Sequence, residues 1–229
     1  MKSSFDYQKV TLIAVTQPNF LHPDSGRDIT PDEFIGYVAR VSNPTNQLNT
    51  SSAPKLLSYL IRNEHWSPFE MVSVVMEIQT TRDIGRQILR HRSFVFQEFS
   101  QRYARVSNLI DEREARLQDT KNRQNSIETD DVSIQDWFHD AQSLLSQQAA
   151  SLYEEALEKG IAKEQARALL PEGLTMSTMY MSGSLRSWLH YIKLRQANGT
   201  QAEHRDIALK AKQQILEQFP SCADYLNGE

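Results

Sequence analysis

An arginine-rich stretch, residues 80–103, constrains this chain more than any other part of its sequence. Six arginines and two acids lie between positions 82 and 105, although the whole chain carries a formal net charge of −4. Thr80 and Thr81 can cap a helix, and apolar residues recur behind them at helical spacing. The stretch therefore predicts a short packed helix that concentrates positive charge against the overall balance.

Two arginines indicate where this helix ends. Arg90 and Arg92 are two positions apart, so in a continuing helix they would point to nearly opposite sides. We expect the helix to end near Arg90 and residues 93–96 to turn back across its end in an extended form. This turn would carry three polar residues towards the helix end: Glu98, Ser100 and Arg102. Because arginine offers a planar five-donor fork suited to phosphate or a polarised carbonyl, the arrangement predicts an anion pocket.

Other interpretations stay open on the residues alone. The stretch could be a solvated helix face with surface salt bridges, or the contact face of an RNA- or anion-binding regulatory module. A metal hydrolase could be built on His65, His91 and His190. The eight glycines form no G-x-G-x-x-G or Walker pattern. Any nucleotide phosphate must therefore be held by side chains, which here means arginine.

The order of residues in the stretch resembles the signature of the flavin-dependent thymidylate synthases. That signature reads Arg-His-Arg, seven residues, then Ser, and here Arg90-His91-Arg92 is followed after seven residues by Ser100. The family's ending, Asn-Glu-x-Ser-x-Arg-Tyr, is matched by residues 97–103 with Gln97 in place of the usual asparagine. With weaker motifs in the same order, the resemblance covers roughly residues 39–203.

The weaker motifs lie on both sides of the stretch. Residues 65–70 are similar to the family's His-x-Ser/Thr-Pro-Phe-Glu segment, which lines the flavin site. Residues 166–171 are similar to an Ala-Arg-x-x-Leu-Pro segment whose arginine contacts the nucleotide phosphate. Residues 194–203 are similar to Leu-Arg, four or five residues, then Gln-x-Glu. The family's Asn-x-Arg and a later Asn correspond to Ser184, Arg186 and His190, of which only the arginine matches.

The resemblance implies an activity and a set of site residues. The chain is expected to convert dUMP to dTMP with bound FAD, and with NADPH and 5,10-methylenetetrahydrofolate as co-substrates. Substrate-binding residues would be Gln87, Arg90, Glu98, Ser100, Gln101, Arg102, Arg167 and Arg195. Cofactor-binding residues would be Ser42, His65, Ser67, Glu70, Arg90, His91, Arg92, Glu98, Ser184, Arg186 and His190. Ser100 and Arg195 would be catalytic, and a cation against the uracil would stabilise negative charge that develops on the ring.

Length and composition favour one domain, residues 1–229. At 39% hydrophobic and 24% charged residues, the chain can bury one sizeable core. Alternating and helical apolar patterns predict an α/β (α+β) fold with a mixed sheet and long helices. The resemblance implies a homotetramer whose active sites combine residues from several subunits.

Composition also excludes several classes. The single cysteine, Cys222, can form neither a disulfide framework within the chain nor a cysteine-based metal site, and we expect it to have no catalytic role. Apolar runs fall short of the ~20 residues that span a bilayer, and the first ten residues lack an apolar signal region. We expect a soluble, cytoplasmic protein that binds neither membrane nor nucleic acid, and no metal site.

The remaining patterns predict individual elements. Strands are predicted at residues 10–16, 71–79 and 174–181, and helices are predicted to start at Thr30, Ser52, Ser133, Ser184 and Gln201. Residues 107–131 are polar and predict an excursion over the surface, of the kind that often forms a lid. The aromatic side chains of the helix after Ser133 are expected to lie in the core.

Overall fold

The computed structural model describes residues 5–110 and 113–228. Its strands are β1 (Lys9–Val15), β2 (Ser73–Thr81), β3 (Val95–Glu98), β4 (Arg116–Gln118), β5 (Ser126–Glu128) and β6 (Met176–Ser184). Its α-helices are α1 (Pro31–Ala39), α2 (Ala53–Arg62), α3 (Arg82–Ile88), α4 (Val132–Glu158), α5 (Lys163–Ala166), α6 (Leu185–Arg195), α7 (Ala202–Gln218) and α8 (Ala223–Asn227). Short 3₁₀ turns connect several of them, including Ser67–Met71 before β2.

A four-stranded sheet in the order β1-β2-β6-β3 forms the centre of the fold. Each neighbouring pair is antiparallel, with Ser73 opposite Ser184 and Thr81 opposite Met176 in the central pair. The expectation of a mixed sheet is therefore wrong, whereas the α+β class is confirmed. The direction of the strands could not be predicted from the sequence, because β2 and β6 pair across a long stretch of chain that includes α3, β3 and α4.

The core lies between this sheet and the helices α1, α2, α6 and α7. Along β2, Val74, Met76 and Ile78 are fully buried and alternate with more exposed residues, as the sequence pattern predicts. Trp188 of α6 is also fully buried, and its indole Nε1 donates to the carbonyl oxygen of Val74 at 3.1 Å. This contact joins the second half of the chain to the central strand.

Helix α1 begins at the predicted capping box. The Thr30 hydroxyl accepts from the backbone N–H of Glu33 at 3.2 Å, and the Glu33 carboxylate accepts from the Thr30 N–H at 3.0 Å. A hydrogen bond from Arg27, together with these contacts, lowers the pKa of Glu33 to about 2. The first turn of α1 is thus fixed by local chemistry.

The long helix α4 departs from its predicted burial. Asp131, rather than Ser133, is its N-cap and accepts from the N–H groups of Ser133 and Ile134. Tyr153 is buried as expected, but Trp137 is 69% exposed, so the expectation that the aromatic side chains lie in the core is wrong for Trp137. Leu144 is also exposed, at 59%. Helical spacing identifies an apolar face but not the surface that covers it. No helix among the described residues is both long and apolar enough to cross a membrane.

The predicted surface excursion is partly structured. Strands β4 and β5 pair as a short antiparallel hairpin within it. Arg113 forms an ion pair with Asp83 at 2.8 Å, and Arg116 pairs with the buried carboxylate of Glu203. A polar sequence without apolar periodicity gave no sign of these contacts, because the segment is held by ion pairs instead of an apolar face.

Candidate active site

Helix α3 presents the central residues of the candidate site. It continues directly from β2 and ends at Ile88 with Leu89 as its C-cap, close to the predicted end. The expected side-chain cap is absent at Thr81, whose hydroxyl donates to the Asp83 carboxylate at 2.6 Å instead of accepting from the helix backbone. The short helix therefore stops before the Arg-His-Arg sequence, and those side chains leave from a turn.

A cavity of about 450 Å³, lined by three arginines and two glutamates, lies beside the start of α3. Arg82 and Arg86 line it from consecutive turns of the helix, and Arg167 and Gln101 line it from other segments. Gln101 is 4% exposed, and its side-chain Nε2 has no hydrogen-bond partner among the described residues. Three guanidinium groups and an unpaired buried N–H donor form a donor set that suits a phosphate or another anion.

Glu98 of β3 orients part of this cavity. Its Oε1 accepts from the Ser177 hydroxyl at 3.0 Å and from Arg82 at 3.4 Å, and its Oε2 lies 3.7 Å from Arg86. Burial lowers the pKa of Arg82, although a guanidinium keeps its proton at any physiological pH. Antiparallel pairing of β3 with β6 places Glu98 alongside α3, where it contacts Arg82 in the first turn and Arg86 in the last turn.

A second group of side chains surrounds Arg195 at the end of α6. The Arg195 Nε donates to His91 Nε2 at 2.9 Å. Burial and the neighbouring Arg195 charge lower the pKa of His91 to about 4, so this imidazole is neutral near pH 7. His91 in turn lies edge-on to Tyr191, with ring centroids 4.8 Å apart. A neutral partner leaves the Arg195 charge available for an anionic ligand.

Gln87 belongs to the same group. Its Nε2 donates to the Gln201 Oε1 at 2.7 Å, and its Oε1 lies 3.3 Å from Nδ1 of His204. The structure thus joins the arginine-rich stretch to the segment that carries the Gln-x-Glu motif.

A third group forms between the turn after α2 and the start of α6. The Arg186 Nη1 donates to Glu70 at 2.8 Å, and the Ser184 hydroxyl caps α6 by accepting from the Ser187 N–H. Burial raises the pKa of Glu70, but hydrogen bonds from Ser184 and Arg186 outweigh this and lower it overall. His190 packs edge-on against Trp66 at 4.6 Å between centroids. Four of the predicted cofactor residues are therefore neighbours here.

Several predicted residues stand apart from these groups. Arg90 and Arg92 are exposed, and among the described residues neither side chain forms an ion pair or hydrogen bond. Arg102 is exposed and lies 3.4 Å from Glu164, whose backbone carbonyl also accepts from Arg167. Within the described part of the chain, four further predicted residues contribute no side-chain hydrogen bond or ion pair to the three groups: Ser42, His65, Ser67 and Ser100.

Sequence reasoning missed other residues in the site. Arg82 and Arg86 line the cavity, and their i, i+4 spacing on one helix face was the available signal. The contact between Tyr191 and His204 could not be predicted from the sequence, because the two residues lie on different helices and meet only when α6 packs on α7. No group of three or more His, Cys, Asp or Glu side chains within residues 5–110 and 113–228 could hold a metal ion.

The fold and these groups define an α+β protein with an arginine-lined cavity. A family model described as thymidylate synthase complementing protein matches residues 27–221 of the chain. A protein of Paramecium bursaria Chlorella virus 1, named probable flavin-dependent thymidylate synthase, is 52% identical over 198 residues, which are 86% of this chain and 91% of that protein. The flavin-dependent thymidylate synthase of Synechocystis is 49% identical over 214 residues, 93% of this chain and 97% of its own. The chain belongs to the flavin-dependent thymidylate synthase family.

Solved structures share the fold. The crystal structure of a UMP/dUMP methylase, PolB from Streptomyces cacaoi, bound with 5-Br UMP, has a TM-score of 0.77 and covers 95% of this chain and 92% of its own. At 23% sequence identity this likeness concerns the fold. A second structure of that protein, bound with 5-Br dUMP, has a TM-score of 0.76.

Proposed function

We propose that the chain catalyses the reductive methylation of dUMP to dTMP. In this reaction 5,10-methylenetetrahydrofolate supplies the one-carbon unit and becomes tetrahydrofolate, while NADPH supplies the hydride and becomes NADP⁺. Bound FAD would supply the two-electron redox chemistry that connects them. The observation that carries the proposal is the cavity lined by Arg82, Arg86, Arg167 and the unpaired Gln101 amide, in a chain that belongs to this family.

The cavity suits the monophosphate of dUMP. Arginine donors bind phosphate with charge-assisted hydrogen bonds, and three of them here converge from two segments of the chain. Glu98 and Glu172 lie between Arg82 and Arg86 and hold the two guanidinium groups in place. In the proposal, Arg167 and Gln101 bind the phosphate directly, and Arg102 and Ser100 contribute from the adjoining turn.

The exposed pair Arg90 and Arg92 suits the diphosphate of FAD. A guanidinium without a carboxylate partner can give all its donors to a ligand, which Arg82 and Arg86 cannot do. His91 lies between the two arginines in sequence and is neutral, so it can offer one donor without adding charge. The Glu70 group, with Ser184, Arg186 and His190, would hold another part of the cofactor, and Ser42, His65 and Ser67 would complete the site.

Arg195 is proposed to stabilise the activated pyrimidine. A positive charge whose contact is the neutral His91 side chain can stabilise negative charge that develops on the uracil ring. This supplies activation without an enzyme thiol. Cys222 is fully buried, and burial raises the pKa of its thiol, both of which disfavour the thiolate that nucleophilic attack requires.

The test is the flavin content of purified variants. The parent protein should absorb as a flavoprotein with close to one FAD per subunit. Arg90→Ala and Arg92→Ala should lose FAD while circular dichroism stays unchanged, because both side chains are exposed and form no internal contact among the described residues. Lys55→Ala is the matched control and should retain FAD, because this exposed cation of α2 belongs to none of the three groups of site residues among the described residues. Full FAD content in both Arg90→Ala and Arg92→Ala would remove these side chains from the cofactor site.

A further inference from the structure

His204 lies between two residues of the Arg195 group. It is in the first turn of α7 and is fully buried. Its Nδ1 is 3.3 Å from Gln87 Oε1, and its Nε2 is 3.1 Å from the hydroxyl of Tyr191. No motif in the sequence singles this histidine out, and neither the metal nor the nucleophile chemistry considered above uses it.

The chemistry of the partners fixes the hydrogens in this contact. An amide oxygen only accepts, so the hydrogen between Gln87 and His204 must be on Nδ1. A neutral imidazole then offers Nε2 as an acceptor, and the Tyr191 hydroxyl donates to it. Burial, with the charge of Arg195, lowers the pKa of His204 to about 3, in agreement with a neutral ring. Hydrogen bonds therefore run in one direction, from Tyr191 through His204 to Gln87 and on to Gln201.

This chain of hydrogen bonds holds the Gln87 amide at both ends. Its oxygen accepts from His204, and its nitrogen donates to Gln201 at 2.7 Å. An amide has two N–H donors and two acceptor lone pairs, so one of each remains for a ligand. A glutamine without these contacts could rotate its amide, and donor and acceptor would exchange places.

We propose that His204, supported by Tyr191, is a positioning residue that orients the Gln87 amide for recognition of the pyrimidine nucleotide. The inference rests on the proposed function, which assigns Gln87 to the dUMP site. Tyr191 also packs edge-on against His91, the partner of Arg195. The Tyr191–His204 pair therefore links Gln87 to the cation that faces the same substrate.

The first measurement is dUMP affinity, by calorimetry on the FAD-loaded protein. His204→Leu removes the donor to Gln87 and should raise the dUMP dissociation constant about 3- to 10-fold, the loss expected for one neutral hydrogen bond. FAD content should stay at the parent level. His204→Asn, whose amide can donate from near the Nδ1 position, should recover most of the affinity. His22→Leu is the matched control, because His22 contacts the backbone of Leu48 in a different part of the fold.

A double-mutant cycle separates positioning from a general structural effect. Gln87→Ala removes the amide, so adding His204→Leu to it should weaken dUMP binding no further. Additive losses would overturn the proposal, as would unchanged affinity in a folded His204→Leu protein. If His204→Leu fails to fold, Tyr191→Phe takes its place in the cycle with the same criterion, since it removes only a hydroxyl. A parent protein that binds FAD but not dUMP would contradict the proposed function itself, whereas additivity with normal parent binding contradicts only the role of His204.

Discussion

Among single residues, Arg195 is a cation that contacts a neutral side chain and has no carboxylate partner among the described residues. Its hydrogen-bond partner is an imidazole that burial and the arginine itself keep neutral. A carboxylate in the same position would cancel the field of the guanidinium. The contact therefore fixes the orientation of Arg195 and leaves its charge to act on a ligand.

The matching experiment compares Arg195 with Cys222 in single-turnover oxidation of reduced enzyme with dUMP and 5,10-methylenetetrahydrofolate. Arg195→Ala should slow the reaction by roughly 10²- to 10³-fold, the usual cost of losing one preorganised charge-stabilising group. Cys222→Ser should stay within a few-fold of the parent, although it places a hydroxyl in a fully buried apolar position and should lower stability. An inactive Cys222→Ser and an active Arg195→Ala would reverse the mechanism.

At the scale of elements, the turn between α3 and β3 depends on a close contact with β6. Phe94 lies over Gly183, where an added Cβ would be 2.5 Å from the Phe94 Cδ1. The ring is buried and packs edge-on against Trp188 at 5.0 Å between centroids, so it has little room to move. Glycine at this position lets the turn that carries Arg92 approach the sheet.

Gly183→Ala should therefore destabilise the protein by about 1–3 kcal/mol, the range for overpacking a core contact. The urea midpoint of unfolding measures this. Gly199→Ala is the matched control, because a Cβ there meets nothing within 4 Å and the position needs no positive φ. Its midpoint should stay the same or rise slightly. Equal midpoints for the two variants would show that Phe94 can move aside without cost.

Elements that depend on local chemistry could be predicted from sequence. The capping box at Thr30 and Glu33 and the alternation in β2 are properties of neighbouring residues, and both are present. The hairpin of β4 and β5 and the contact of Glu98 with Arg82 could not be predicted in this way. Each depends on which distant segment lies opposite, and a polar sequence does not encode that in its periodicity. His204 was missed for the same reason.

For the whole molecule, the notable surface feature is an apolar face of α4 that is exposed to solvent in the single chain. Trp137, Leu144, Leu145 and Leu152 share one side of the helix and are 48–69% exposed. An apolar stripe of this length is typical of a surface that another protein chain covers. It supports the homotetramer that the family resemblance implies and that we propose for this chain.

Charge introduced into this stripe should break the assembly. Leu144→Glu and Leu152→Glu should each shift sedimentation from a tetramer to smaller species, because burying an unpaired carboxylate in an apolar contact is costly. Gln147→Glu changes an exposed polar residue of the same helix outside the stripe, and it should leave the tetramer intact. A parent protein that sediments as a monomer, or variants that remain tetrameric, would exclude this face as the subunit contact.

The methylation of dUMP to dTMP is tested most directly by identifying the product that the FAD-loaded protein forms from dUMP. Purified protein is mixed with dUMP, NADPH and 5,10-methylenetetrahydrofolate. The nucleotides are then separated by chromatography and identified by mass spectrometry. We expect one dTMP, one tetrahydrofolate and one NADP⁺ for each dUMP consumed, and almost no dTMP with Arg195→Ala. Unchanged dUMP in the presence of protein that carries its FAD and binds the nucleotide would contradict this expectation.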